Sequence, residues 1–575
     1  MKINCNNSGI VTKLRFKKSL FLIILFMYHS SFLMATVRYV KQDAVGNNNG
    51  NSWFDAYTDL QDAIDVSVIN DTIWVAAGTY LPKDAPDGTI STGVLDRNNA
   101  FHLHTNMKIY GGFSGTETLL SERDWTSNLT LLSGDFANND VVTGGGAELS
   151  FMGNDENAYH VIITADLTPD ALLDGFTISG GNANDLQDGY ITYVFKRLYK
   201  YDGGGMYNAY SSPTITNLTF TSNSVYNTGG GMYNSPSSSP VIMNSTFISN
   251  SADFGGGAML NSYSNSTSIV NSTFISNSAV VGGAVLNFSS SSRFIANSSF
   301  NSNYAHLNGG AIYHTPNSNL TIINSTFVSN LANSQGGGIF LSHSSIQSII
   351  NSIFILNSAD SGGGIFNRNS PTIFNATFAS NSANSGGAIY NEFYAHPKIY
   401  NSIFWSNFQS GSANFQGSDI LNSNNSLPTV EHCITQENSI YSTGTGIINN
   451  QEPKFEDAAN LNFKLKCTSP AINQGTLSGA PKEDIRAFDR AGNPDIGAYE
   501  FGESEPLIIE RNIENGMNPK YVGMPSISTE WPILNTNNSI FKARNFILLK
   551  SGFSVAPTNG EATVFRAEIG NGGCP

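Results

Sequence analysis

The sequence predicts an all-β chain wound into a right-handed parallel β-helix, and three observations carry that prediction. A phrase close to N-S-T-F-I-S-N-S-A returns eight times, its aromatic at Phe220, Phe247, Phe274, Phe300, Phe327, Phe354, Phe378 and Phe404, in steps of 27, 27, 26, 27, 27, 24 and 26 residues. An asparagine follows each aromatic by three residues, from Asn223 to Asn407, where stacked carboxamides would bond from turn to turn. Glycine pairs such as Gly256-Gly257 and Gly309-Gly310 mark sharp corners, and a large apolar residue, Met206 to Ile389, starts the next strand after each corner. Gly, Ser, Asn and Thr punctuate every segment, so no helical stripe survives. About 26 residues leave room for three short strands and three turns, whereas a propeller blade needs roughly 40.

The elements around the repeats follow in order. Residues 1–36 read as a signal peptide: Lys13, Arg15, Lys17 and Lys18 precede the apolar run Leu20 to Met27, and Ala35 offers a small residue for cleavage. That run is far short of the roughly 20 residues that span a bilayer. Residues 53–68 carry Ala56, Leu60, Ala63, Ile64 and Val68 on one face, as a helix capping the lower end of a solenoid would. Its Asp55, Asp59, Asp62 and Asp65 read as a solvated face rather than a metal site. The coil itself, about 203–407, carries only Asp253, Arg293, Asp360, Arg368, Glu392 and Lys398 as charged residues. Its exterior must be Ser, Thr and Asn. After an acidic linker from Glu503 to Pro506 the tail alternates apolar and polar residues as strands do, in S-I-F-K-A-R-N-F-I-L-L-K from Ser539.

Charge and cysteine content bound the function. A formal net charge of −15 argues against nucleic acid or anionic membranes as partners. Cys5 would leave with the leader, and Cys433, Cys467 and Cys574 cannot staple so long a fold; a Cys433–Cys467 bridge and two separate thiols are equally compatible with the sequence.

Several segments resemble known families. D-T-I-W-V-A-A-G-T-Y from Asp71, M-K-I-Y-G-G-F-S-G-T-E-T from Met107, L-S-G-D from Leu132, Y-H-V-I from Tyr159 and L-D-G-F-T-I-S-G-G-N-A from Leu173 resemble pectin-lyase-like solenoids exported by Bacteroidetes-type bacteria. The F-x-x-N and G-G-A-I repeats resemble those of chlamydial polymorphic outer membrane proteins. S-P-A-I-N-Q-G from Ser469 and N-P-D-I-G-A-Y-E from Asn493 are similar to the closing motif of the choice-of-anchor Q family, and the tail resembles coathanger-stack modules. Together these imply a β-helix over 37–501 and a C-terminal sorting or anchoring module over 502–575. The tail is too short for a membrane barrel of eight strands.

Candidate chemistry is sparse. A glycosidase needs two carboxylates within roughly 10 Å, yet Asp253 and Asp360 occupy one column four turns apart. Arg293 and Arg368, possible bases of a lyase, lack clustered acids. His102 and His104 share one strand face at a spacing compatible with a metal, but unliganded surface histidines are the simpler reading. His306, His314 and His343 stand isolated, and Asp484, Asp489 and Asp495 suit turns. The N-S-T triplets read as residues leading into strands rather than as glycosylation acceptors. No catalytic, cofactor-binding or metal residue is therefore assigned. The expectation is an exported, non-catalytic cell-surface or extracellular β-helix with an adhesive, carbohydrate-binding or structural role. Its partners would be polysaccharide or surface glycans, together with export or anchoring machinery. The alternative is a polysaccharide lyase or glycoside hydrolase.

Overall fold

The structure, a computed structural model, describes residues 36–502 apart from 89–95, 188, 264, 290–291, 343–346, 411–416, 437–443 and 491; beyond 502 it describes the backbone of the strands. The predicted leader through Ala35, Cys5, Cys574 and His343 lie outside the described residues. Four parallel ladders wind through the chain. The first holds 13 strands from Val37–Val40 to Thr429–Glu431, and the second 13 from Gly78–Tyr80 to Ile448–Asn449. The third holds nine from Asn182–Ala183 to Phe408–Gln409, and the fourth 11 from Phe101–Leu103 to Ile420–Asn422. The chain is a parallel β-helix.

One turn runs through Val241–Met243, Thr246–Ile248, Ser251–Gly255 and Met259–Asn261, four short strands where the spacing predicted three. The extra bend was hidden because it needs no loop. Asn244 and Ser249 both adopt the left-handed conformation, with φ of 48° and 51°, and each bends the chain within the repeated phrase itself. Asparagine tolerates that region better than most residues. In N-S-T-F-I-S-N the first Asn is thus a corner, Ser245 is buried behind it, Phe247 points inward between the outward Thr246 and Ile248, and Ser249 is the second corner.

The interior is built from identical residues stacked on themselves. The rings of Phe220, Phe247, Phe274, Phe300, Phe327, Phe354, Phe378 and Phe404 lie 4.7–4.9 Å apart and within 7° of parallel, all fully buried. The asparagine column stacks as the sequence anticipates. Asn277 Nδ2 donates to Asn303 Oδ1 at 2.9 Å and to the Phe247 carbonyl at 3.0 Å, and its backbone N donates to the same Oδ1 at 3.1 Å. At the glycine corner Gly256 has φ of 64°, and a Cβ on Gly257 would fall 2.4 Å from two carbonyl oxygens. The apolar column from Met206 to Ile389 is buried throughout.

A second side-chain ladder runs at the end of the fourth sheet. Asn208, Asn234 and Asn261 each donate to the next member at 2.7–2.9 Å, the series ending on Asn287, and Asn367 and Asn391 resume it three turns after Asn287, the last acceptor being Asn422. His314 and Leu341 occupy the intervening positions. Those two substitutions break the pattern that the sequence would otherwise display.

The ends differ from the expectation in detail. The first helix is short, Leu60–Val66, with Asp59 Oδ1 accepting from Gln61 N at 2.8 Å. Ala56, Leu60, Ala63 and Ile64 are buried, but Val68 is 38% exposed because the helix has already ended. Asp59 is buried rather than solvated and pairs with Lys83 at 2.7 Å, and Asp55 accepts from Asn47 and Ser52. At the other end the segment 469–501 runs back along the outside of the coil. Asn351, Asn375 and Asn401, the corner asparagines of three successive turns, donate to the carbonyls of Glu483, Asp495 and Thr476 at 2.7–3.0 Å. Ile353, Ile355 and Ile403, outward on their strands, are buried with Ile496 and Ala498 beneath this strap. Asp484 and Asp495 hold its turns by accepting from the backbone N of Arg486 and Asn473, both at 2.7 Å. Cys433 is buried and free, so it does not bridge to Cys467, which is held in a disulfide. In the tail, Leu507–Ile509, Lys520–Thr529, Ile540–Leu549 and Arg566–Ile569 form a separate parallel sheet.

Asn277→Leu removes the acceptor of Asn250 and the donor to Phe247. Each stranded buried group costs about 1–3 kcal/mol, and the midpoint of urea unfolding is expected to fall accordingly, while Thr246→Ala on the outer face leaves it nearly unchanged.

Candidate functional site

The regular turns present Ser, Thr and Asn, so chemistry must gather where the regularity is interrupted. Among the described residues, two insertions that carry hairpins interrupt it. The first, between Thr130–Ser133 and Ile162–Ala165, carries an antiparallel hairpin of Val141–Thr143 and Ser150–Met152. It reaches along the coil until Gly146 N donates to the Ser276 carbonyl at 3.2 Å. The second, between Asn182–Ala183 and Met206–Ala209, carries the hairpin Tyr190–Tyr193 and Lys196–Tyr199. Insertions in solenoids commonly build the binding face.

The second hairpin follows directly from Y-I-T-Y-V-F-K-R-L-Y. Alternation puts Ile191, Tyr193 and Leu198 on the inner face, buried against Ile163, Ala165, Tyr207 and Ala209. Val194 and Phe195 make the two-residue turn with φ of 46° and 61°, the primed geometry that suits a twisted hairpin but strains both residues. Phe195 is fully exposed at its tip. Beneath lies a cleft of about 440 Å³ lined chiefly by Phe195, Lys196, Arg197, Tyr199, Tyr210 and Tyr233. The Tyr207 and Tyr233 rings stand 4.7 Å apart on its floor. Lys196 pairs with Asp166 at 2.9 Å and lies 5.2 Å from the Tyr210 ring, while the Arg197 guanidinium sits 4.8 Å over Tyr190. Burial drives the Tyr207 and Tyr233 hydroxyls well above the usual tyrosine range, so they stay neutral, and they are bonded within the fold to the Tyr199 backbone and to Ser262. Flat aromatic faces with adjoining hydroxyl and cationic donors suit a ligand having both C–H faces and hydroxyls.

His102 and His104 belong to the support of this hairpin. Both stand edge-on to Tyr193, with ring centroids 5.2 and 5.9 Å away, and His104 Nδ1 lies 2.8 Å from the Tyr193 hydroxyl. His102 is largely buried, which lowers its pKa. Among the described residues no group of three or more His, Cys, Asp or Glu is placed to hold a metal ion.

The first hairpin roofs a second groove of about 400 Å³ over the third ladder, lined by Phe151, Asn154, Asn182, Tyr226, Ser251 and Asp253 among others. Asp253 is its single carboxylate, raised above the ordinary range by burial. Asp360 lies four strands away in the same ladder, about 19 Å at about 4.8 Å per turn. Arg368 is engaged with Glu392 at 2.9 Å, and Arg293 and His314 are buried in the coil rather than isolated at its surface. His306 lies near the Tyr304 hydroxyl, at 3.4 Å.

The sequence reading missed both clefts. A signal was present: Y-V-F-K-R-L-Y departs from the repeat, and Lys196, Arg197 and Lys200 fall within five residues of an acidic chain.

The repeat described as that of the Chlamydia polymorphic membrane protein matches residues 297–315 and 375–392. In the structure these spans hold a corner asparagine, the stacked Phe300 and Phe378, the ladder residues Asn303 and Asn381, and a glycine corner. A search of the curated proteins found no match. Among solved structures the chain is similar to the crystal structure of the pectate lyase Pel9A, with 13% identity, a TM-score of 0.40, and coverage of 81% of this chain and 96% of that one.

Asp140, at the base of the first hairpin, accepts from Asn157 Nδ2 at 2.7 Å, and burial together with Asp135 and Glu156 raises its pKa to about 6. Its folded pKa exceeds the unfolded one, so the folded state binds the extra proton between about pH 4 and 6. Stability contributed there is full below that window and is lost as pH rises through it. Asp140→Asn is expected to flatten this part of the curve of thermal midpoint against pH.

Proposed function

We propose that this chain is an exported, surface-displayed β-helix that holds polysaccharide in the cleft beneath the 190–199 hairpin, with the long coil serving as a spacer. The observation that carries the reading is the fully exposed Phe195 standing over Tyr199, Tyr210 and Tyr233 beside two cations, in a chain whose formal net charge is −15. A large exposed aromatic is a liability unless something covers it. A hairpin strained to present one supports a binding role. The wide separation of Asp253 and Asp360 supports binding without hydrolysis by that pair. Surface display rests on the leader-like residues 1–36, on the tail with its own parallel sheet, and on the similarity to a repeat named for a membrane protein.

Phe195→Ala and Tyr210→Ala remove exposed rings, so the thermal midpoint is expected to stay unchanged while retention on immobilised polysaccharides falls at least tenfold. Unchanged retention, or no retention of any polymer by the unaltered protein, contradicts the reading. Ending the chain after Gly502 tests display separately. The full chain is expected to be cell-associated and open to external protease, and the shortened one to lose that association; identical fractionation of the two contradicts an anchoring role for the tail.

A further inference from the structure

Arg293 is the one buried arginine among the described residues whose charge meets no carboxylate and whose donors are mostly unused. It is 3% exposed, and Nη2 donates to the carbonyls of Asn261 and Ser262 at 3.0 and 3.1 Å. Nε and Nη1 have no acceptor. By contrast Arg490, equally buried, pairs with Glu500 at 3.0 Å, and Arg123 pairs with Asp174. Unpaired burial of a charge costs several kcal/mol, and no acidic neighbour offsets that of Arg293.

The same corner gathers other orphaned groups. The second asparagine ladder stops at Asn287, whose Nδ2 finds no partner because the next position holds His314. His314 Nε2 lies 2.9 Å from the Ser318 carbonyl, so that nitrogen carries the proton and Nδ1 is bare. Nδ1 and Ser318 Oγ are also without partners. His314 is close enough to Arg293 for the two charges to oppose each other, and it is held neutral. Obligate donors therefore outnumber obligate acceptors: two nitrogens of Arg293 and one of Asn287 against a single imidazole lone pair, with the Ser318 hydroxyl able to serve either way. Water would bring as many donors as acceptors to this imbalance. An anion brings acceptors alone.

We propose that this interior corner binds one small monovalent anion of halide size, held by Nε and Nη1 of Arg293 with Asn287 Nδ2 and Ser318 Oγ completing the shell. The anion neutralises the buried guanidinium and terminates the interrupted asparagine ladder. Any group that binds only the folded state raises its stability. Crystals of the full chain soaked in bromide are expected to show an anomalous scattering peak in contact with Arg293. In solution at constant ionic strength, replacing a bulky organic anion by bromide or chloride is expected to raise the thermal midpoint by several degrees, saturably, and Arg293→Met is expected to abolish that rise. Water density alone at the corner overturns the proposal, as does a halide-independent midpoint or an equal halide rise in Arg293→Met. Should Arg293→Met fail to fold, the anomalous peak and the halide titration of the unaltered protein decide alone.

Discussion

In a parallel coil each residue meets its own counterpart one turn above and one below, and that constraint governs everything else in this molecule. A polar group turned inward at a corner is removed from water and can be satisfied only if the next turn offers the complementary group at the same place. Asparagine meets the requirement because its carboxamide both donates and accepts, so Asn223 to Asn407 bond in series and also hold the backbone of the adjoining turn. Identical phenylalanines stack for the same geometric reason, at the spacing of the turns themselves. Repetition in the sequence is the record of this self-pairing.

Departures from repetition then acquire meaning. Where Thr at the outward position is replaced by Ile, at Ile353 and Ile403, the closing strap covers the coil. Where Asn is replaced by His314, the ladder ends and Arg293 stands beside it. Where 15 extra residues lengthen the turn between Ile178 and its partner Phe220, on the path from the third ladder to the fourth, a hairpin rises and lifts Phe195 into solvent. The regular turns supply a rigid and chemically bland rod. The interruptions supply its specific surfaces.

The parallel coil, its inward phenylalanines and its principal asparagine ladder were legible in the sequence because each is a property of one position repeated. The fourth strand of each turn was not, since a left-handed Asn or Ser bends the chain without adding a residue. The second ladder was obscured by two exceptions, His314 and Leu341. The candidate cleft was the least legible, because it joins Tyr207, Tyr210 and Tyr233 from successive turns to a hairpin that belongs to no repeat, and only the fold brings them together. His102 and His104 illustrate the same limit: the sequence read them as unliganded surface histidines, and their neighbour, Tyr193, lies 89 residues from His104 along the chain.

The central claim is that the uninterrupted turns hold the structure while the insertion at 184–202 does the binding. Amide hydrogen exchange of the full chain, with and without a retained polysaccharide, tests it most directly. The account predicts added protection confined to residues 190–210 and the neighbouring segment around Tyr233, over a coil from 214 to 409 that is slow to exchange in both states. Protection spread evenly along the regular turns, or lying under the strap at 469–501 with none at the hairpin, would contradict it.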